Sequence, residues 1–156
     1  DSIAGDSDYI FFVMRWLPED MMHISEFVNN FREKHVKVVF VGEAAFTRIP
    51  LLLFRYARSD KKLDREELKK WFGRNMQRES VMLNQIVKQK VEDAGGIYLS
   101  KYELYCNEDN KCDLTTKDHE PYLRDSDHVT FTGAMNLGKI IYESNWLNNL
   151  FKEYPR

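Results

Sequence analysis

The chain has 156 residues, of which 43% are apolar and 31% charged, with a net charge of −2. That length and composition suit one domain with its own core and exclude a disordered chain, and a near-balanced charge with no block of one sign gives no footing for nucleic acid. The longest apolar run, IPLLLF, is far short of the ~20 residues of a membrane helix, and no basic stretch followed by a long apolar core opens the sequence.

The sequence opens on Asp1 rather than Met and reads as a mature or excised piece whose targeting signal has been cut away. Residues 1–8 read as a polar linker, and residues 9–156 as the body of a single domain. DYIFFVMRW is short, continuous and aromatic-rich, which predicts a strand over Tyr9 to Trp16, buried on both faces. After Pro18, Met22, Ile24, Phe27 and Phe31 recur at near-helical spacing. Glu19 and Asp20 sit near the start of that segment and Lys34 and His35 near its end, which matches the helix dipole.

VKVVFVGE predicts a second buried strand, Val36 to Val41, ended by Gly42. The excursion AAFTRIPLLLFRYARSDKK, with Pro50 inside it, reads as a loop and a short helix. LDREELKKWFGRNMQRESVMLNQIVKQKVEDAGG reads as a long helix broken near Gly73. Leu68, Phe72, Met76, Leu83, Ile86 and Val87 make its apolar stripe, and Gly95 and Gly96 its stop. IYLS is a third short strand. The closing TGAMNLGKIIYESNWLNNLF reads as one helix with Thr132 as N-cap.

Strands alternating with helices predict a parallel sheet in a three-layer α/β/α fold. Doubly wound domains carry roughly five or six strands, so this sheet reads as incomplete at its N-terminal side.

Cys106 and Cys112 flank five polar residues in YCNEDNKC. Zinc needs about four ligands, and there is no second pair. A disulfide closing a short polar loop is the preferred reading, with Cα atoms about 4.4–6.8 Å apart, and it implies an oxidising compartment. Two free thiols in a reducing one are the alternative.

The stretch YLRDSDHVTFTGA places Asp125 three residues before His128, in a polar loop that enters a helix. A histidine is a general base near neutral pH. A carboxylate at its Nδ1 fixes the tautomer and stabilises the imidazolium, as in serine-hydrolase triads. Spacing alone equally fits a surface turn with a solvated histidine.

That stretch resembles the C-terminal block of the SGNH (GDSL-type) esterases and acyltransferases: D-x-x-H, a hydrophobic residue, Ser/Thr and a later Gly-Ala. It is most similar to the branch fused behind multi-spanning membrane O-acyltransferases, which modify bacterial surface polysaccharides. The strand ending in Arg-Trp (FFVMRW), the Cys–Cys loop (CNEDNKC) and the Pro-Tyr before the aspartate (EPYLRD) fit the same branch. The resemblance covers Tyr9 to about Tyr142.

It implies a Ser–His–Asp mechanism in which His128 relays the proton and Asp125 stands behind it, with Arg15 and Trp16 lining the cleft. It further implies an acyl donor and a polysaccharide acceptor as partners, a membrane acyltransferase domain in cis and no cofactor. The location implied is the periplasmic or extracellular side of the membrane.

The nucleophile is the departure. The family's serine lies in a Gly-Asp-Ser block after a strand that precedes the Arg-Trp strand. GDS does occur here, Gly5 to Ser7, but no apolar strand precedes it and no helix fits before Tyr9. The family's glycine and asparagine blocks are not identifiable. The chain therefore reads as the C-terminal portion of an SGNH domain whose serine is carried elsewhere. The alternative is a non-catalytic carbohydrate-binding or interaction module on a degenerate SGNH fold.

Other features have plainer readings. His23 and His35 are surface or helix-end histidines. His119, near Asp118 and Glu120, lacks the ligand spacing of a metal site even with Asp125, so no metal is expected. KKLDREELKKWFGR interleaves its charges as a solvated helix does. Arg48, Arg55 and Arg58 are candidates for meeting a carbohydrate or phosphate-bearing acceptor.

Overall fold

In the computed structural model, residues 7–47, 64–118 and 120–153 are described. A parallel sheet of order β1-β2-β3 is built from Tyr9–Val13, Lys37–Val41 and Ile97–Leu99. The register pairs Phe11 with Val39, Val13 with Val41, and Val41 with Leu99. The α/β class and the parallel sheet expected from the sequence are present.

The described residues form two compact units. The first holds residues 7–43 and 78–101, and so the whole sheet. Pro18–Met22 is a 3-10 turn, with the Leu17 N–H donating to Asp20 Oδ2 at 2.8 Å. Helix α1, Ile24–Arg32, follows it. The single helix expected here begins as a tighter turn because Pro18 lacks an N–H and fits only the start of a helix.

The long helix expected next is two, α2 (Arg65–Arg74) and α3 (Arg78–Asp93). They part at residues 75–77, just after the expected Gly73, where Met76 bridges to Phe46. Asp64 caps α2, its side chain accepting from the Glu66 N–H at 3.3 Å.

Helices α1 and α3 pack on one face of the sheet. Val38 and Phe40 of β2 meet Ile24 and Val28 of α1 and Val87 and Val91 of α3. The buried face of α3 runs Ser80, Asn84, Val87, Val91, whereas Ile86 is exposed. A polar Asn84 belongs to that face because it clasps the main chain after β2. Its Oδ1 accepts from the Glu43 N–H at 3.0 Å, and its amide donates to the Glu43 carbonyl.

The second unit holds residues 44–47, 64–77, 102–118 and 120–153. Its core gathers Phe46, Leu68, Phe72, Tyr105, Cys112, Leu114, Tyr122 and Leu123. Cys106 and Cys112 form a disulfide. Their Cα atoms are 3.9 Å apart, closer than expected, because the two face each other as partners of an antiparallel bridge.

The C-terminal helix is also two, α4 (Phe131–Glu143) and α5 (Asn145–Glu153), parting at an extended Ser144. Its N-cap is Thr130, not Thr132. Thr130 is extended, and its Oγ1 accepts from the Gly133 N–H at 2.9 Å. Thr132 is the second residue of the helix, and its carbonyl accepts from the Asn136 side-chain amide at 2.9 Å.

Candidate active site

The loop before α4 is a tight hairpin. Leu123 and Val129 are bridge partners, and the Arg124 N–H donates to the His128 carbonyl at 2.7 Å. At its base the Tyr122 N–H donates to the Leu114 carbonyl at 2.8 Å, and the Thr130 N–H to the Tyr122 carbonyl at 2.9 Å. Thr130 Oγ1 also donates to the Pro121 carbonyl at 2.8 Å. The Phe46 N–H holds the Ser126 carbonyl at 2.9 Å. With Tyr122 and Leu123 buried in the core, the hairpin's tip rests on a fixed base.

At the tip, Asp125 and His128 are paired. Asp125 Oδ1 accepts the backbone N–H of His128 at 2.9 Å and that of Asp127 at 3.2 Å. Its Oδ1 and Oδ2 lie 2.9 and 3.0 Å from His128 Nδ1. The three-residue spacing is what closes this turn: the carboxylate caps the backbone and reaches the ring together.

The backbone N–H donors of His128 and Asp127 hold the Asp125 carboxyl well below the usual carboxylate range. The His128 ring reinforces them, and slight desolvation opposes them. Arg124 Nε stands 3.9 Å from Oδ2. A second carboxylate, Asp127, lies 3.4 Å from Nδ1 and accepts the Ser126 hydroxyl at 2.9 Å.

An ionised carboxylate only accepts, so Nδ1 carries the proton in this pair. In the neutral ring Nε2 is then an acceptor. Among the described residues Nε2 has no hydrogen-bond partner, and the His128 side chain is 69% exposed. An imidazole so held takes a proton at Nε2 while its charge is balanced at Nδ1. Asp125, Asp127 and His128 also bring ligand-type atoms within 4.8 Å of one another.

Arg15 and Trp16 lie in the unit that carries the sheet, just past β1. The Trp16 indole is buried, donates to the Val41 carbonyl at 3.0 Å and lies 5.0 Å from the Phe40 ring. Arg15 is exposed, with Nε 3.8 Å from Glu43 Oε1. Sequence reasoning singled out Arg15 and Trp16 but missed Glu43, which Arg15 faces, and Asn84, which clasps the Glu43 main chain. The available signal was Asn84 itself, a polar residue in step with Ser80, Val87 and Val91.

Ser7 and Asp8 run directly into β1. His23 and His35 are exposed, as expected. Arg48, Arg55, Arg58 and His119 lie outside the described residues.

A parallel α/β sheet, together with an Asp–His hairpin that leads into a capped helix, describes an SGNH-type domain. The family model for the SGNH domain (fused to AT3 domains) matches residues 2–143, and the chain belongs to that family. The fold is shared with the periplasmic domain of a lipopolysaccharide acetyltransferase of Salmonella ser. Paratyphi A, at a TM-score of 0.57 and 16% identity. That likeness covers 86% of this chain and 54% of the other, so this chain spans about half of that domain. No curated protein matches the sequence. No helix among the described residues is long and apolar enough to cross a membrane.

Proposed function

We propose that residues 9–156 are the C-terminal portion of an acyl-transferring SGNH domain working on the periplasmic or extracellular side of a membrane, with a membrane acyltransferase domain in cis. The reaction moves a short acyl group, such as acetyl, to or from a sugar hydroxyl of a surface polysaccharide. A serine hydroxyl attacks the acyl carbonyl, His128 Nε2 takes its proton, and Asp125 balances the imidazolium at Nδ1. The proton then passes to the leaving oxygen, and the acceptor hydroxyl reverses the sequence. Arg15 and Trp16, at the carboxyl end of β1, belong to the strand ends where open α/β sheets bind ligands.

The observation that carries this reading is the Asp125–His128 pair, with Nδ1 satisfied and Nε2 open, in a chain of a family fused to AT3 domains. The bacterial lipopolysaccharide acetyltransferase that shares the fold supports the substrate class.

The test is an acetyl-ester hydrolysis and transfer assay on the complete gene product and on the 156-residue chain. The complete protein should be active, with His128→Ala costing about 10²–10⁴-fold, and the chain alone inactive. Activity in the chain alone that Ser7→Ala abolishes would make Ser7 the nucleophile. A complete protein that binds glycan without turning over ester would make the domain a binding module.

A further inference from the structure

The turn that sets Asp125 against the imidazole also places Asp127 directly before His128, with its Oδ1 3.4 Å from Nδ1. The Asp125 oxygens are closer, at 2.9 and 3.0 Å, so the ring's hydrogen bond goes to Asp125 and Asp127 meets the ring as a charge. The Asp127 side chain is the less exposed of the two, at 25% against 41%. Ser126 holds it in place. The Ser126 hydroxyl donates to Asp127 Oδ1 at 2.9 Å, and the Ser126 carbonyl accepts from the N–H of the fully buried Phe46.

Two carboxylates beside one ring nitrogen repel each other. Asp125 is compensated by the backbone N–H groups of Asp127 and His128 and by Arg124, whose Nε is 3.9 Å away. Among the described residues, the ion-pair partner of Asp127 is His128 alone. Its charge is therefore matched by a cation only when the imidazole is protonated, the state that follows proton uptake at Nε2. An interaction that strengthens as charge develops lowers a barrier, whereas one equal in both states does not.

We propose that Asp127 is a positioning residue of this site, a second carboxylate that helps keep the His128 proton on Nδ1 and balances the imidazolium together with Asp125. This rests on the reading of His128 as the general base. It adds a residue that the D-x-x-H spacing does not mark, because Asp127 falls on one of its unspecified positions. With Asp125 uncharged, Asp127 is the remaining anionic acceptor for the Nδ1 proton. With both uncharged, the neutral ring takes the Nε2–H form favoured in water, which cannot accept a proton from serine.

Nitrogen NMR of the His128 ring, at a pH where the ring is neutral, tests this in the 156-residue chain, beside acetyl-transfer kinetics on the complete gene product. The variants are Asp125→Asn, Asp127→Asn and the two combined. All three change only the hairpin's tip, so the amide resonances of Leu114 and Tyr122 at its base should stay in place. In Asp125→Asn the ring should remain mainly protonated at Nδ1, and in the double variant mainly at Nε2. Asp127→Asn alone should lower kcat about 3–10-fold with KM unchanged, and at least about ten-fold where Asp125 is already Asn. The same tautomer in Asp125→Asn and in the double variant would overturn the inference, as would equal kcat of those two in an active protein. The expected change of tautomer together with a complete protein that transfers no acyl group would uphold the role of Asp127 at the ring while removing the proposed activity.

Discussion

Gly73 and Asn110 meet backbone to backbone. A Cβ on Gly73 would stand 1.6 Å from the Asn110 carbonyl oxygen. The loop between the cysteines therefore lies directly on α2, and only glycine allows that approach. Gly73→Ala must push main chain against main chain, since no flexible side-chain end is there to yield. It should destabilise the protein by about 1–3 kcal/mol despite alanine's better helix propensity. Urea unfolding of both proteins measures this. An unchanged or raised midpoint would show that the loop lifts away freely.

The two threonines beside the hairpin separate cap from helix. Thr130 Oγ1 accepts from the Gly133 N–H and donates to the Pro121 carbonyl, whereas Thr132 lies one residue into α4. Thr130→Ala should cost about 1–2 kcal/mol, and Thr132→Ala a few tenths at most. Thermal unfolding of the pair reads the difference, and equal effects would contradict the cap assignment.

The strands were legible because β-branched and aromatic runs leave a parallel sheet few alternatives, and Tyr9–Val13, Lys37–Val41 and Ile97–Leu99 fall inside the expected stretches, but β1, expected to be buried on both faces, leaves Phe11 and Val13 exposed. The Asp125–His128 pairing was legible because one short stretch holds both residues and the turn that joins them. The breaks at residues 75–77 and at Ser144 were not. Each depends on a contact or backbone angle that helical periodicity does not encode, such as the bridge from Met76 to Phe46. The Asn84–Glu43 clasp was hidden for the same reason: a main-chain partner leaves no mark in the pattern.

The disulfide should stabilise the second unit modestly. Cys112 is fully buried in the core beside Leu114 and Tyr122, and its N–H donates to the Lys69 carbonyl at 3.0 Å. The closed loop is short, so the constraint on the unfolded chain is worth about 2 kcal/mol. Replacing both cysteines with alanine should lower stability by about that much plus a packing loss at Cys112. Thiol counting of the denatured wild-type protein without reductant should find none free, and two free thiols would contradict the bridge.

Asp125 sets an acid limit on stability whose origin can be tested. Its folded-state carboxyl is held below the ordinary aspartate value, so on acidification the unfolded chain takes up the proton first. The associated stability is complete above the unfolded value, near ~3.9, and is lost as pH falls through the folded value. Asp125→Asn keeps an oxygen that can accept the backbone N–H groups but has no charge to lose. The stability gap between wild type and Asp125→Asn should therefore shrink steadily below about pH 4. Because the His128 and Asp127 backbone N–H donors outweigh the imidazole as causes, His128→Ala should retain most of this acid sensitivity. Urea midpoints from neutral to strongly acidic pH decide it. A gap that stays level to the lowest pH would mean that Asp125 is not specially held, and its disappearance in His128→Ala would mean that the ring, not the turn, fixes the carboxylate.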